Sequence, residues 1–482
     1  MARKRCPTTT VATPSDLARI DQLVDELVRA GDTRRLREVR RLLKGAADRR
    51  GSAERALRYG RDPVGWARER LKQPPWSRQA EAMEAVRDYR RVAVQSGHGV
   101  GKALSLDTAL PTPDGWTTMR DVQPGSYLLD EHGQPVKVLG VSPIQERDTF
   151  DVVFDDGSTI VASDDHIWQV LDINDRHRER NQRLYRGQPA VTDWRESWHL
   201  TEARTTRELV ASMRTTTGSK GGQLRWAVPT AKPVAGNAVL LPVPAYTFGA
   251  WLGDGEAAAA AITVSHEDAP HLLAQLAADG VQVRERPSRR RETNTGYGFV
   301  NGTYVALRDM GVLDNKHVPA LYLRADEDAR LALLAGIMDT DGFVQSNGAV
   351  AQLDITCEPI ADAVTELAAS FGWKVRRAVK RATYYGKDCG AVYRVSFRPD
   401  RQVFRLPRKI ARLRIDGAAQ RSRHTLRTIV DIRPVPGVPV KCVTVDSPTS
   451  LYLAGHSFIP THNSHIASEI ACWWLDVHPP GE

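Results

Sequence analysis

Apolar spacing changes twice along the 482-residue chain, and each change marks a region. Leu17, Ile20, Leu23, Val24 and Leu27 recur at helical spacing behind Ser15, a helix-capping residue type, and the pattern stops at Gly31. An Arg-rich helix is predicted from Thr33. Residues 63 to 102 predict a helix after Trp76-Ser77-Arg78-Gln79, then a short strand, Arg91 to Val94. From Ala103 the texture becomes short β-type runs split by turn triplets: Pro113-Asp114-Gly115, Gln123-Pro124-Gly125, Glu131-His132-Gly133 and Asp155-Asp156-Gly157. That predicts all-β structure to about residue 170. Residues 171 to 240 are polar and irregular, with Arg clusters, and predict a linker with some helix. Helices alternate with strands from 245 to 420, and β spacing returns from Thr428 to Asn463.

The alternating region contains an internal repeat. Its first copy runs Phe248-Gly249-Ala250-Trp251-Leu252-Gly253-Asp254-Gly255, then a strand Ile262 to Val264, then a helix on Leu272, Leu273, Leu276 and Ala277. Its second runs Leu334-Ala335-Gly336-Ile337-Met338-Asp339-Thr340-Asp341-Gly342, then Leu353 to Thr356, then a helix on Ile360, Val364, Leu367 and Ala368. The same elements recur in the same order at similar spacing, which marks a duplication.

Composition adds a partner class. Lys and Arg exceed Asp and Glu by 67 to 58, a net charge of +9, which favours a polyanion such as nucleic acid. No run approaches the roughly 18 apolar residues of a membrane span, and MARKRCPTTT has no apolar core for a secretory signal. Five cysteines are scattered without Cys-x-x-Cys pairs, which argues against a disulfide framework and a structural zinc site and fits a reducing cytoplasm.

The strongest chemical signal lies at two junctions. Gly97-His98-Gly99-Val100-Gly101-Lys102 is a phosphate loop that lacks its closing hydroxyl, because Ala103 follows Lys102. Such loops place Ser or Thr there to hold the magnesium of a nucleotide. The missing hydroxyl stands at Ser464. Deleting 103–463 joins VAVQSGHGVGK to SHIASEIACWWL: a strand, a complete loop and an apolar-faced helix. The middle of the chain is therefore an insertion expected to leave.

Leu106-Asp107-Thr108, Thr112 to Gly115, Ser163-Asp164-Asp165-His166 and Thr461-His462-Asn463 followed by Ser464 resemble an intein at both its ends. Ser163 stands where the family usually has Thr. Most inteins begin with Cys or Ser, and Ala103 cannot attack a carbonyl. Cys442 lies where many inteins have Asp, and with Trp168 and Thr461 it resembles class 3 inteins, which lack the first nucleophile. The resemblance implies that Cys442 attacks the Lys102 carbonyl while His166 protonates the departing Ala103 nitrogen. It implies that Ser464 takes over the thioester and that Asn463 cyclises with His462 as proton donor. Trp168 and Thr461 would position Cys442, and no cofactor is needed.

The repeat resembles the LAGLIDADG homing endonucleases, which often lie inside inteins. That implies two helices packed through small residues (Gly249, Ala250, Ala335, Gly336), with Asp254 and Asp341 side by side holding Mg2+ or Mn2+ for phosphate cleavage. Double-stranded DNA would lie on the strands after each motif, against Arg284, Arg286, Arg289, Arg290, Arg291, Arg376, Arg377 and Arg381. The catalytic lysine has two candidates, Lys380 and Lys387.

Residues 63 to 102 resemble the start of a phage terminase large-subunit ATPase. Gln79 matches the residue that contacts adenine, and Gly97, Gly99, Gly101, Lys102 and Ser464 would bind ATP and Mg2+ after splicing. With 19 residues after Asn463, the chain is expected to be a truncated precursor. The expected fold is multidomain: an all-β Hedgehog/intein (HINT) splicing domain interrupted by an α+β LAGLIDADG pseudo-dimer, after an α-helical and α/β N-terminal fragment. The expected divisions are 1–102, the N-terminal flank; 103–235, the first splicing part with linker; 236–424, the endonuclease; 425–463, the second splicing part; and 464–482, the C-terminal flank. The insertion is expected to be a cytoplasmic monomer, and the spliced host to join a terminase oligomer and its packaging machinery. Two alternatives stay open: a class 1 intein trapped by loss of its first nucleophile, and an ATPase fragment tolerating an inert insertion.

Overall fold

The computed structural model describes residues 58–71, 77–89 and 103–463, apart from 190, 192, 216–221, 290, 301, 385–386 and 416–423. The expected helices before residue 58, the strand Arg91 to Val94, the phosphate loop with Lys102, and Ser464 lie outside the described residues. The chain divides into two compact units, Met1–Ala93 with Ile466–Glu482, and Val94–His465.

In the first unit, Asp62 accepts a hydrogen bond from the Gly65 N–H at 2.7 Å and caps a short helix, Pro63–Trp66. Proline at the first helical position has no N–H to leave unsatisfied. A π-turn, Ala67–Leu71, follows, and the predicted helix after Trp76 is Ser77–Asp88, which carries Gln79. Tyr59, Trp66, Ala67 and Met83 form its small core.

In the second unit both β segments build one antiparallel sheet of nine strands. Leu426–Val435, from the far end of the chain, lies between Trp226–Pro229 and Thr149–Phe154. Leu104–Ser105 lies between Thr159–Ser163 and Pro439–Lys441. This interleaving brings the two ends of 103–463 together. Leu104, Leu128, Phe154, Trp168, Trp226, Ile429 and Ile459 fill the core under the sheet.

The stretch 171–240 is not a linker. Ile167–Asp172 continues past residue 170, Ile173–Tyr185 is a helix, and Glu202–Thr205 and Trp226–Pro229 are strands of the large sheet. Trp226-Ala227-Val228-Pro229 is buried at all four positions, so it lacks the alternation that betrays a half-exposed strand.

The sheet leaves the chain at Pro229, and the mixed layer begins with the helix Ala245–Asp254. The duplication holds. Ala245–Asp254 precedes the sheet of Ala261–Ser265, Asn294–Phe299 and Val283–Arg286, backed by the helix Ala269–Ala278. Glu327–Thr340 precedes the sheet of Gly342–Val344, Ala351–Ile355, Lys387–Phe397 and Val375–Tyr384, backed by Glu358–Ser370. The two lead helices pack backbone to backbone. A Cβ on Gly336 would run into the Tyr246 carbonyl and the Ala250 N–H, and one on Gly249 into the Leu333 carbonyl. All of this lies within one compact unit, tied across the expected division at 235 by Arg324, which donates to the Thr112 and Gly115 carbonyls at 3.0 and 2.7 Å.

Candidate functional site

The first cluster forms where the insertion's ends meet. Leu104 pairs with Lys441 and Ser105 with Val440. One further step of that register sets Ala103 against Cys442, and Ala103, Val440 and Cys442 pack together, all buried. Ser163 clamps Ala103 from the next strand. Its N–H donates to the Ala103 carbonyl at 2.9 Å, its hydroxyl accepts from the Ala103 N–H at 3.3 Å, and that hydroxyl donates to Asp165 at 2.9 Å. Cys442 is held by Ser142, whose hydroxyl accepts from the Cys442 N–H at 3.0 Å and whose N–H donates to the Cys442 carbonyl at 2.9 Å.

His166 is fully buried, with Nε2 2.5 Å from the Thr461 hydroxyl. The Trp168 ring stands edge-on to its imidazole, centroids 4.8 Å apart. The Trp168 indole donates to the Thr206 hydroxyl at 3.1 Å, and the Thr206 N–H donates to the His166 carbonyl at 2.8 Å. Thr461 and Trp168, expected to position Cys442, therefore make these contacts to His166 and its support.

Asn463 ends the hairpin of Leu451–Ala454 and Ile459–His462. Its N–H donates to the Ser450 carbonyl at 2.7 Å. With its amide turned to satisfy both neighbours, the side chain donates to the Ser450 carbonyl at 3.0 Å and accepts from the Val445 N–H at 2.5 Å. His462 is buried, opposite Leu451. So Ala103, Ser163, His166, Trp168, Cys442, Thr461, His462 and Asn463 are gathered from five strands and their ends. Ser142 and Thr206 had not been singled out in the sequence. The capping box of Thr205 and Glu208 marks the helix start beside Thr206, but no local pattern marks its bond from Trp168.

The second cluster lies at the ends of the paired helices. Asp254 is the last residue of one helix and Asp341 caps the other. The Asp341 carboxylate reaches across, 3.3 Å from where a Cβ on Gly253 would stand. Asp254 is open to solvent on one side. Desolvation by the packing on its other side, then the Asp341 charge, push its carboxyl up to about 6, and burial also raises Asp341. Helix C-termini add partial negative charge to both acids.

Two lysines answer that charge. The Lys316 ammonium donates to the Trp251, Leu252, Gly253 and Gly255 carbonyls at 2.8–3.2 Å. The Lys409 ammonium does the same at the other helix end, to Met338, Asp339, Thr340 and Gly342 at 2.5–3.3 Å. Burial lowers both, Lys409 to about 8. These two lysines stand beside the acid pair. Lys380 lies exposed on the outer strand Val375–Tyr384, and Lys387 begins the strand paired with it. Nothing in the short turn Pro407–Ile410 marks Lys409 as more than a surface residue.

No cluster of three or more His, Cys, Asp or Glu able to hold a metal occurs among the described residues. The pair nevertheless fits a hard divalent cation, since one would relieve the mutual repulsion and leave positions open for phosphate oxygens. The arginines divide by strand parity. Arg284 and Arg286 share a sheet face with Gly298 and Gly296, opposite the face that packs on the helix. Arg376 and Lys380 share the outer face of the second sheet. Arg377 points the other way, to Glu358 and Asp362 at 2.9 and 2.8 Å. Arg286 is paired with Glu256 at 3.0 Å, Arg381 with Asp388, and Arg290 lies outside the described residues.

No protein-family model matches the chain. It is similar to a replicative DNA helicase DnaB of Mycobacterium intracellulare, 36% identical over 374 residues, which cover 77% of this chain and 60% of that protein. A DnaB of Mycobacterium leprae (strain TN) is 39% identical over 89 residues, 18% of this chain and 15% of that protein. The chain thus spans less than two thirds of the first relative's length. Among solved structures, the Msm DnaB1 intein splicing domain bound with zinc overlaps 75% of this chain and 100% of its own, at 16% identity and a TM-score of 0.23. The homing endonuclease I-DmoI in complex with DNA and Ca overlaps 35% of this chain and 95% of its own, at 13% identity and a TM-score of 0.24. Scores this low do not establish a shared fold.

Proposed function

We propose that residues 103–463 are a class 3 intein that splices itself out and joins Lys102 to Ser464, and that the same segment is a LAGLIDADG-type DNA endonuclease. The observation that carries the splicing reading is Cys442 packed against Ala103, the first residue after the bond to be cut. In the first step the Cys442 sulfur attacks the Lys102 carbonyl, the bond to the Ala103 nitrogen breaks, and His166 supplies that nitrogen's proton. The Ser163 clamp holds the departing amide in place. Ser464 then displaces the sulfur. Asn463, gripped by Ser450 and Val445, cyclises through its side-chain amide and releases the insertion, with His462 as proton donor. The resulting ester rearranges to a peptide bond.

For the nuclease, Asp254 and Asp341 would hold a divalent cation, which supplies charge for the phosphate and activates water when bound. Lys316 and Lys409 hold the two helix ends in register and place positive charge beside the scissile phosphate. Arg284, Arg376 and Lys380 suit backbone contacts on the two outer sheet faces, which position DNA but read no sequence.

The host reading keeps the terminase ATPase suggested by the resemblance at 63 to 102. The flanks hold 121 residues in all, 102 before and 19 after, so roughly 250 or more of the 374 matched positions fall within the insertion. The match therefore lies chiefly within the insertion. A helicase host is the second reading, favoured by the relative's name, and the gene sequence flanking the insertion separates the two.

Splicing is tested by intact mass of freshly made protein. The expected outcome is a released 361-residue insertion together with 121 joined flank residues. A single species at 53.4 kDa would instead support a trapped precursor.

A further inference from the structure

Tyr452 sits in the middle of the strand Leu451–Ala454, directly opposite Thr461. Side chains of a directly opposed antiparallel pair lie on the same face. Thr461 uses that face to reach His166, so Tyr452 belongs to the same chamber. It is 0% exposed, and its hydroxyl has no hydrogen bond among the described residues. A buried tyrosine usually finds a partner, and phenylalanine would fill the space without stranding a polar group. A stranded hydroxyl in a reactive pocket calls for an explanation.

The reaction proposed above supplies one. Cys442 is buried, and its thiol must become an anion before it attacks. Burial disfavours that anion, while a hydrogen bond to it restores the balance. We propose that the Tyr452 hydroxyl is a catalytic donor held for the Cys442 sulfur, bonding it as the thiolate forms. This inference rests on the splicing reading.

Tyr452 packs in the same buried cluster as Leu104 and Val443, the neighbours of Ala103 and Cys442. The resting thiol donates to the Val443 carbonyl at 3.4 Å, a bond it gives up on ionising. Burial, then the Cys442 charge, hold the phenol well above its usual range. Tyr452 is therefore a neutral donor wherever the thiol reacts. It keeps its own proton throughout; the proton lost from sulfur passes to His166, and His166 hands it on to the Ala103 nitrogen as the amide leaves. The other titratable groups around the chamber are His166, held by Thr461, and His462 on the same hairpin. The Lys441 ammonium is committed elsewhere, to the Arg120 and Val122 carbonyls at 3.1 and 2.9 Å, and Asp165 is bound by Ser163 and Arg147.

The test uses the full chain carrying Tyr452→Phe. Thioester-dependent splicing should slow by roughly 10- to 100-fold at pH 7, the range of a lost anion donor. It should recover toward wild type at pH 9.5, because higher pH favours the thiolate whether or not the donor is present. The unfolding temperature should hold or rise, because the stranded hydroxyl is gone. A wild-type rate at pH 7, or a loss that high pH does not restore, overturns the inference. Should Phe lower the unfolding temperature, 3,5-difluorotyrosine at position 452 keeps the shape and strengthens the donor. Its rate at pH 7 should hold or rise, and a fall would overturn the role. If the wild-type chain does not splice, the splicing reading fails and takes this inference with it. If it splices through Cys442 while Tyr452→Phe is neutral, only this inference fails.

Discussion

At Cys442 the working groups come from strands as far apart in sequence as Ala103 and Asn463, and they are buried. At Asp254 and Asp341 they come from one motif used twice, and they face solvent on one side. The first arrangement suits a protein that is its own substrate. Its β-pairing sets Ala103 against Cys442 through the Leu104–Lys441 register, so nothing need diffuse in. The second suits a large external polyanion, since two helix ends offer charge at an open surface. A buried site can rely on one neutral hydrogen bond at a time. The open site concentrates two carboxylates, with two ammonium groups held at the helix ends beside them.

If the two regions are chemically separate, Cys442→Ala should abolish splicing and thioester formation completely while leaving DNA cleavage intact. Intact mass and a cleavage assay on the same sample check both halves. Normal ligation by this variant would remove the class 3 assignment.

The reciprocal change is Asp254→Asn with Asp341→Asn. Cleavage of DNA spanning the uninterrupted Lys102–Ser464 junction, in Mg2+ or Mn2+, should fall by on the order of 1,000-fold or more, as loss of transition-state charge stabilisation predicts. Splicing should stay near wild type. Equal cutting by wild type and variant would mean that these carboxylates are not the metal site.

Much of this contrast was legible in the sequence, for different reasons in the two regions. The duplicated helices were visible because Gly249 and Gly336 recur with their acids, and the backbone contact they allow is local to the motif. The Cys442 pocket was visible only through resemblance, since no local pattern links Ala103 to Cys442. Strand pairing makes that link. Thr206, Ser142 and Tyr452 were missed because their roles arise from contacts across the sheet. Lys316 and Lys409 were missed because a buried ammonium plugging helix-end carbonyls leaves no spacing signature. The strand Trp226–Pro229 was lost to a linker because a strand covered on both faces does not alternate.

The seam itself tests whether the nuclease half can fail alone. Gly336→Val would drive a side chain into the Tyr246 carbonyl and Ala250 N–H. Overpacking of this kind costs about 1–3 kcal/mol, and the rigid backbone on both sides puts this case at the upper end. Thermal unfolding should show the loss, and cleavage should fall with it. Splicing measured well below the new unfolding temperature should persist. Loss of splicing under those conditions would mean that the Asp254–Asp341 seam and the Cys442 pocket fold as one cooperative unit.

The mildest probe sits at the joint between the regions. Glu131 is 0% exposed, and its backbone carbonyl accepts from the Lys232 N–H at 2.8 Å where the chain leaves the large sheet. Burial is the largest influence on its carboxyl and pushes it up to about 7, against about 4.3 in an unfolded chain. Between those values the folded protein holds a proton that the unfolded chain has released. The contribution of Glu131 to stability is therefore complete below about pH 4.3 and is lost as pH rises through 7. Above that, the ionised form costs at most about 3.7 kcal/mol, from the gap between about 7 and about 4.3. Glu131→Gln mimics the protonated acid. It should raise the unfolding temperature at pH 8, leave it unchanged below about pH 4, and alter neither splicing nor cleavage at saturating metal. A variant no more stable than wild type at pH 8 would show that the carboxylate is charged and compensated in the folded chain, and the joint would then be held by an ion pair instead of a buried acid.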